Sequence, residues 1–129
     1  MPGYEIIGKE ESKEIKDIFD NGGVLFRHGF EHLRNGTYKV SQFEKAFSKK
    51  MNAPYALAVA SGTAALRVAL AAIEIEPKDE IITQSFTFVA TVEAIIESRG
   101  IPIVTEIDDT LNMDPKDFEK KITKNTKAV

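Results

Sequence analysis

At 129 residues the chain has the length of one domain, and its 43% hydrophobic and 29% charged residues are ordinary for a globular protein. A net charge of -3 with Lys and Arg spread along the chain leaves no basic cluster for nucleic acid, and the lack of cysteine excludes a disulfide framework and thiolate chemistry. No apolar run has membrane-spanning length, and the opening "MPGYEIIGKEESKEIKD" turns charged within ten residues instead of building the apolar centre of a signal peptide, so a cytoplasmic protein with no membrane partner is expected.

In chain order, Ile15, Ile18 and Phe19 have helical spacing and predict a helix over about 10–20, stopped by Asn21-Gly22-Gly23. Residues 24–40, "VLFRHGFEHLRNGTYKV", show no period and read as an irregular segment or a short helix with a loop, with "NGT" at Asn35 read as a turn. Ser41-Gln42-Phe43-Glu44 has the form of a capping box ahead of a second helix carrying Phe43, Ala46 and Phe47 on one face. "YALAVA" (55–60) is a run of strand length. From Ser61 the period changes, with Leu66, Ala69, Leu70 and Ile73 at helical spacing, and a helix this apolar all round is expected to be buried on more than one side. "EPKDE" makes a turn. "IITQ" (81–84) is the next strand, and "SFTF" leads into a helix with Val89, Val92, Ile95 and Ile96 inward, ended by Gly100. "IPIVTEI" (101–107) is a third strand. Asp114 then serves as N-cap with Pro115 at the first helical position, and "TKAV" begins a fourth strand. Strands alternating with helices from Tyr55 onward predict an α/β fold with a mostly parallel sheet, helices on both faces and right-handed crossovers. Because the last strand begins where the sequence stops, the chain is expected to be the N-terminal part of a longer protein.

In an open parallel sheet, ligands gather at the carboxyl ends of the strands. Ser61-Gly62-Thr63 falls at such an end and opens a helix, whose first turn offers unpaired N–H groups and a partial positive charge to an anion such as phosphate. Gly62 would permit close approach, and Ser61 and Thr63 could add hydroxyl donors. The plainer reading makes Ser61 an N-cap and Gly62 a turn residue, and local features leave both open. "QSFTFVAT" places Phe86 and Phe88 at the next strand end, either as core residues or beside a flat ligand. Asp108 and Asp109 read as turn and capping residues in preference to acid–base groups. Neither a GxGxxG nor a GxxxxGKS/T pattern is present, which disfavours a Rossmann-type nucleotide enzyme.

Taken together, "FEKAF", "YALAVASGTAAL", "SFTFVAT", "DDTLNMDP" and "ITKNTKAV" resemble the DegT/DnrJ/EryC1/StrS family of pyridoxal-phosphate sugar aminotransferases across 41–129, and 1–23 resemble that family's N-terminal helix. The resemblance implies the N-terminal part of the large domain of a fold-type I pyridoxal-phosphate-dependent transferase, divided into a helix and irregular segment (1–40) and a partial large domain (41–129) truncated before the catalytic lysine. It implies pyridoxal 5'-phosphate as cofactor, with Gly62, Thr63 and Ala64 meeting its phosphate through backbone N–H groups and Phe88 stacked on its ring. It implies transfer of an amino group from an amino-acid donor (glutamate or glutamine) to a nucleotide-linked keto-sugar, in polysaccharide or amino-sugar biosynthesis, by a homodimer in the full-length protein. The chemistry needs a lysine for the Schiff base and a carboxylate opposite the pyridine nitrogen. Lys45, Lys49, Lys50, Lys120 and Lys121 fall on polar helix faces, so no catalytic residue is assigned within the chain and the fragment alone is expected to be inactive. Two departures stand out: 24–40 differ from the family's usual stretch, and Gln84 replaces its commonest proline. A dehydratase of the same family and a non-catalytic module for a phosphorylated ligand are the alternatives.

Overall fold

The computed structural model describes residues 3–129, which form two compact units, one reaching to Ala58 and the other spanning Val59–Val129.

The first unit is built on two helices, α1 (Lys9–Asp20) and α2 (Lys39–Lys50). Glu11 reaches back to accept the Gly8 N–H at 2.7 Å, and Glu10 and Glu11 place negative charge at the positive end of α1. At the other end the Asn21 amide returns to the Asp17 carbonyl at 2.8 Å, and Gly22 and Gly23 both take positive φ. The apolar positions Ile15 and Ile18 face Phe43 and Ala46 across a cleft. Lys39 joins the helices by pairing with Glu14 and Asp17, each at 2.6 Å. The ammonium beside it holds the Asp17 carboxyl below the ordinary aspartate range.

Between these helices the irregular segment is organised by one cation. Arg34 is buried, and its guanidinium donates to the carbonyls of Gly29 (2.6 Å), His28 (3.4 Å) and Phe26 while stacking on the Tyr38 ring. Asn35 and Gly36 form the expected turn, both at positive φ, closed by the Thr37 N–H on the Arg34 carbonyl. A single 3₁₀ turn, Glu31–Leu33, is the only helix here. With the chain held as far as Tyr38, α2 starts at Lys39 and Ser41 lies inside its first turn, so the capping box does not form. Glu44 instead accepts the Ala58 N–H at 2.8 Å and pairs with Arg27 at 2.6 Å.

The strand expected at residues 55–60 does not form; the Ala58 backbone is engaged by side chains, Glu44 at its N–H and Arg27 at its carbonyl.

The second unit is a parallel sheet of β1 (Glu80–Gln84), β2 (Ile101–Thr105) and β3 (Thr126–Ala128) in the order β2-β1-β3. Glu80 to Gln84 pair in register with Ile101 to Thr105. Ile81, Ile82, Ala90, Ala94 and Ile95 form the core. Helix α4 (Val89–Glu97) links β1 to β2, and α5 (Pro115–Lys121) links β2 to β3. The two crossovers run in opposite directions across the sheet, so right-handed connections put their helices on opposite faces. Pro115 opens α5 and the Asp114 carboxylate accepts the Lys116 N–H at 2.8 Å, as the sequence predicts.

Three expectations are corrected here. Helix α3 (Gly62–Ala72) has no buried residue within its unit, and Leu66, Val68 and, just past its end, Ile73 are exposed, because α4 is its main neighbour and covers one stripe. On α4 the inward residues are Ala90, Ala94 and Ile95, while Val89 and Ile96 face outward. The end of α4 is turned by Arg99 at positive φ, with the Arg99 and Gly100 N–H groups bonding back to Ile96 and Ile95. Gly100 is needed for closeness instead, since a side chain there would overlap Ile81.

Gly22 has φ +101°, and a Cβ added there would overlap the Leu33 carbonyl. Gly22→Ala is expected to destabilise the protein by about 1–3 kcal/mol, the scale for a residue held in a disfavoured backbone region. Urea denaturation checks this, and an unchanged midpoint would contradict the turn as described.

Candidate functional site

Two helices of the second unit, α3 and α4, start at the residues that the sequence singles out. Helix α4 leaves the carboxyl end of β1 after the four-residue loop Ser85-Phe86-Thr87-Phe88. Leu66 of α3 and Thr91 of α4 line one cleft, and Glu74, just past α3, lies with Ser98 in another. The two helices pack against each other and are tied by the Arg67–Glu97 ion pair.

At the first terminus Ser61 is extended and its hydroxyl accepts the Ala64 N–H at 3.1 Å, which is the N-cap role of the plainer reading. The Ala65 N–H returns to the Ser61 carbonyl. The N–H groups of Gly62 and Thr63 belong to the first turn and have no carbonyl in reach. Capping and anion binding are thus compatible for two of the three expected donors, whereas the Ala64 N–H is already used. No atom lies within 4 Å of where a Gly62 Cβ would stand. The space over this helix end is open, and a side chain at 62 would fill it without disturbing the fold.

At the second terminus Phe88 is the residue preceding α4, and its ring is 77% exposed. It is no core residue of this unit. Phe86 is exposed as well. The loop is fixed at its base by the Ser85 N–H on the Thr105 carbonyl (3.0 Å) and at its top by the Thr91 N–H on the Phe88 carbonyl (3.0 Å). Within it the Gln84 amide donates to the Phe86 carbonyl at 2.6 Å, and the Thr87 and Thr91 hydroxyls are 3.1 Å apart. Sequence reasoning met Gln84 only as a replacement for the family's commonest proline and passed over Thr91. A polar residue closing an apolar strand at 84 was the one available signal.

Asp108 accepts the N–H and hydroxyl of Thr110, and the hydroxyl above all holds its carboxyl below the ordinary aspartate range. It organises a turn, as read from the sequence. Lys39 is bridged by two carboxylates that raise its pKa, and Lys121 donates to the Val104 carbonyl and pairs with Asp117. Lys45, Lys49, Lys50 and Lys120 are exposed. Among the described residues no group of three or more His, Cys, Asp or Glu could hold a metal ion, and no helix is long and apolar enough to cross a membrane.

The first turn of α3 offers N–H groups of the kind that suit an anion, and the exposed Phe88 offers an aromatic face. The chain is 42% identical over 96% of its length to the spore coat polysaccharide biosynthesis protein SpsC of Bacillus subtilis, covering 30% of that protein. It is 36% identical over 94% of its length to the UDP-2-acetamido-2-deoxy-3-oxo-D-glucuronate aminotransferase of Pseudomonas aeruginosa, covering 33% of it. The chain therefore spans about a third of the curated relatives it matches. Among solved structures, NtdA from Bacillus subtilis with bound cofactor PMP superposes with a TM-score of 0.69 at 32% identity, over 88% of this chain and 26% of that one. The GDP-4-keto-6-deoxy-D-mannose-3-dehydratase of E. coli with bound hydrated PLP gives 0.71 at 25% identity, over 93% and 30%. With residues 7–129 matching its sequence pattern, this chain belongs to the DegT/DnrJ/EryC1/StrS aminotransferase family.

Proposed function

We propose that the chain is the cofactor-phosphate half of the large domain of a pyridoxal-phosphate-dependent sugar aminotransferase, with residues 41–129 as the partial domain. The observation that carries this reading is the pair of unpartnered Gly62 and Thr63 N–H groups at the open start of α3, beside a loop that exposes the Phe88 ring. Pyridoxal 5'-phosphate, when bound, supplies an electron sink through which an amino group passes between carbon skeletons. This chain's part is binding and orientation. Gly62 and Thr63 hold the phosphate, Ala64 contributes its N–H if Ser61 releases it, and Phe88 lies against the ring. The substrate is a keto-sugar, nucleotide-linked, and the amino donor is glutamate or glutamine. The P. aeruginosa relative, whose name is that of a nucleotide keto-sugar aminotransferase, supports this choice. A dehydratase of the same family is the second reading, supported by the likeness to the E. coli dehydratase. A cytoplasmic setting fits both.

Gly62→Val fills the space over the helix end, and it is expected to weaken cofactor binding by the full-length protein roughly tenfold or more, the loss of a charge-assisted hydrogen bond. Phe88→Ala is expected to cost about 1 kcal/mol of cofactor affinity, the scale for aromatic pairs, with the fold intact. Equilibrium dialysis of the cofactor measures both, and unchanged affinity in both variants would refute the site.

We assign the cofactor-anchoring lysine and the carboxylate opposite the ring nitrogen to no residue of 1–129. The lysines of this chain are exposed or held by carboxylates, and none is in an apolar strand-end setting that would lower its pKa. Incubating residues 1–129 with the cofactor, reducing with borohydride and mapping adducts by mass should give no single stoichiometric lysine adduct. One such adduct together with amine turnover above the cofactor blank would overturn the assignment.

The exposed Leu66, Val68 and Ile73 of α3 and the open edges of β2 and β3 favour self-association, consistent with a homodimer of the full-length protein. Light scattering of residues 1–129 should show mass rising with concentration, and a monodisperse monomer at high concentration would contradict it.

A further inference from the structure

We infer that Gln84 is the positioning residue for Phe88, its side-chain amide fixing the loop that presents the aromatic ring to the cofactor. The inference rests on the reading above in which Phe88 lies against that ring.

A ring buried in a core is oriented by its neighbours. Phe88 has few, being 77% exposed, so its direction is set by the backbone that carries it. That backbone is firm at both ends. Gln84 pairs with Thr105 in the sheet, the Ser85 N–H bonds to the Thr105 carbonyl, and Thr105 is itself buried with its hydroxyl on the Thr83 carbonyl. At the far end the Phe88 carbonyl accepts the Thr91 N–H, the first bond of α4. The Phe86–Thr87 peptide is the joint between these anchors, and no ladder or helix bond holds it. The Gln84 amide does so by donating to the Phe86 carbonyl at 2.6 Å. Without a donor at 84 this carbonyl turns to water, and the loop gains conformations in which the ring points elsewhere. The Thr87–Thr91 hydroxyl contact steadies the same joint from the helix side but leaves the carbonyl unbound.

Gln84→Met keeps the length of the side chain and removes the donor. In the holoenzyme it should raise the cofactor dissociation constant roughly two- to fivefold, within the loss expected on removing the Phe88 ring itself, and reduce the circular dichroism induced in the cofactor's absorption band. The thermal midpoint of the apoprotein should not move, since the bond lies in an exposed loop. In the Phe88→Ala background the same substitution should have no further effect on affinity, because there is no ring left to orient. Gln84→Glu, which also lacks the donor, serves if the methionine variant does not fold, and its added charge cancels in the cycle. An equal loss in both backgrounds would overturn the inference, making Gln84 a fold residue. So would unchanged affinity and dichroism in Gln84→Met while Phe88→Ala binds more weakly, an outcome that leaves the site itself standing. Unchanged affinity in Phe88→Ala would refute the cofactor site, and this inference with it.

Discussion

The parallel pairing of Glu80–Gln84 with Ile101–Thr105 is the constraint on which the second unit depends. Parallel strands cannot be joined by a tight turn, so the chain must leave the carboxyl end of β1, cross over the sheet and return. The crossover is α4, and its start is therefore fixed at the carboxyl end of the central strand. The core follows from the same geometry, since Ala90, Ala94 and Ile95 are the α4 residues turned toward Ile81 and Ile82. The closeness of that return requires Gly100, where any side chain would collide with Ile81. Buried Thr105 then locks the end of the sheet and carries the first bond of the loop to Phe88.

What this arrangement offers chemically is polarity of direction. Helices α3 and α4 pack against each other, and the start of each carries the partial positive charge of a helix N-terminus. One end has its third N–H satisfied by Ser61 and keeps two for an anion. The other is preceded by an exposed aromatic ring. Neither end is a site alone, because every helix has an open first turn. The proposed phosphate seat and ring platform make a specific reading only in combination, and the chain belongs to the DegT/DnrJ/EryC1/StrS aminotransferase family over residues 7–129.

The first unit is organised by different physics. It has two short amphipathic helices and a long irregular connection, with little apolar burial among its described residues. Charged groups do much of the joining: Lys39 between Glu14 and Asp17, Arg27 on Glu44, and Arg34 on the carbonyls of its own loop. Burial of Arg34 is offset by those carbonyls and the Tyr38 ring, which together occupy the guanidinium's donors and face.

Local signals in the sequence determined the elements whose hydrogen bonds are local. Helix α1 with its Asn21-Gly22-Gly23 stop, the cap at Ser61, Asp114-Pro115 at α5 and the turn at Asn35-Gly36 were all legible, because side-chain caps and glycine freedom act within a few residues. The parallel order of β1, β2 and β3 was legible from alternation and run length. Tertiary structure decided where a local signal met a distant competitor. Ser41-x-x-Glu44 has the form of a capping box, yet Arg27 and Ala58 claim the Glu44 carboxylate. The apolar residues of α3 signalled burial, but burial needs neighbours, and α4 is the main one that α3 has within its unit. The site divides along the same line. Ser61-Gly62-Thr63 could be placed at a helix start from its residue types alone. The exposure of Phe88 and the Gln84 bond to the Phe86 carbonyl depend on how the strand end at Gln84 meets Thr105, a residue distant along the chain that only folding brings alongside.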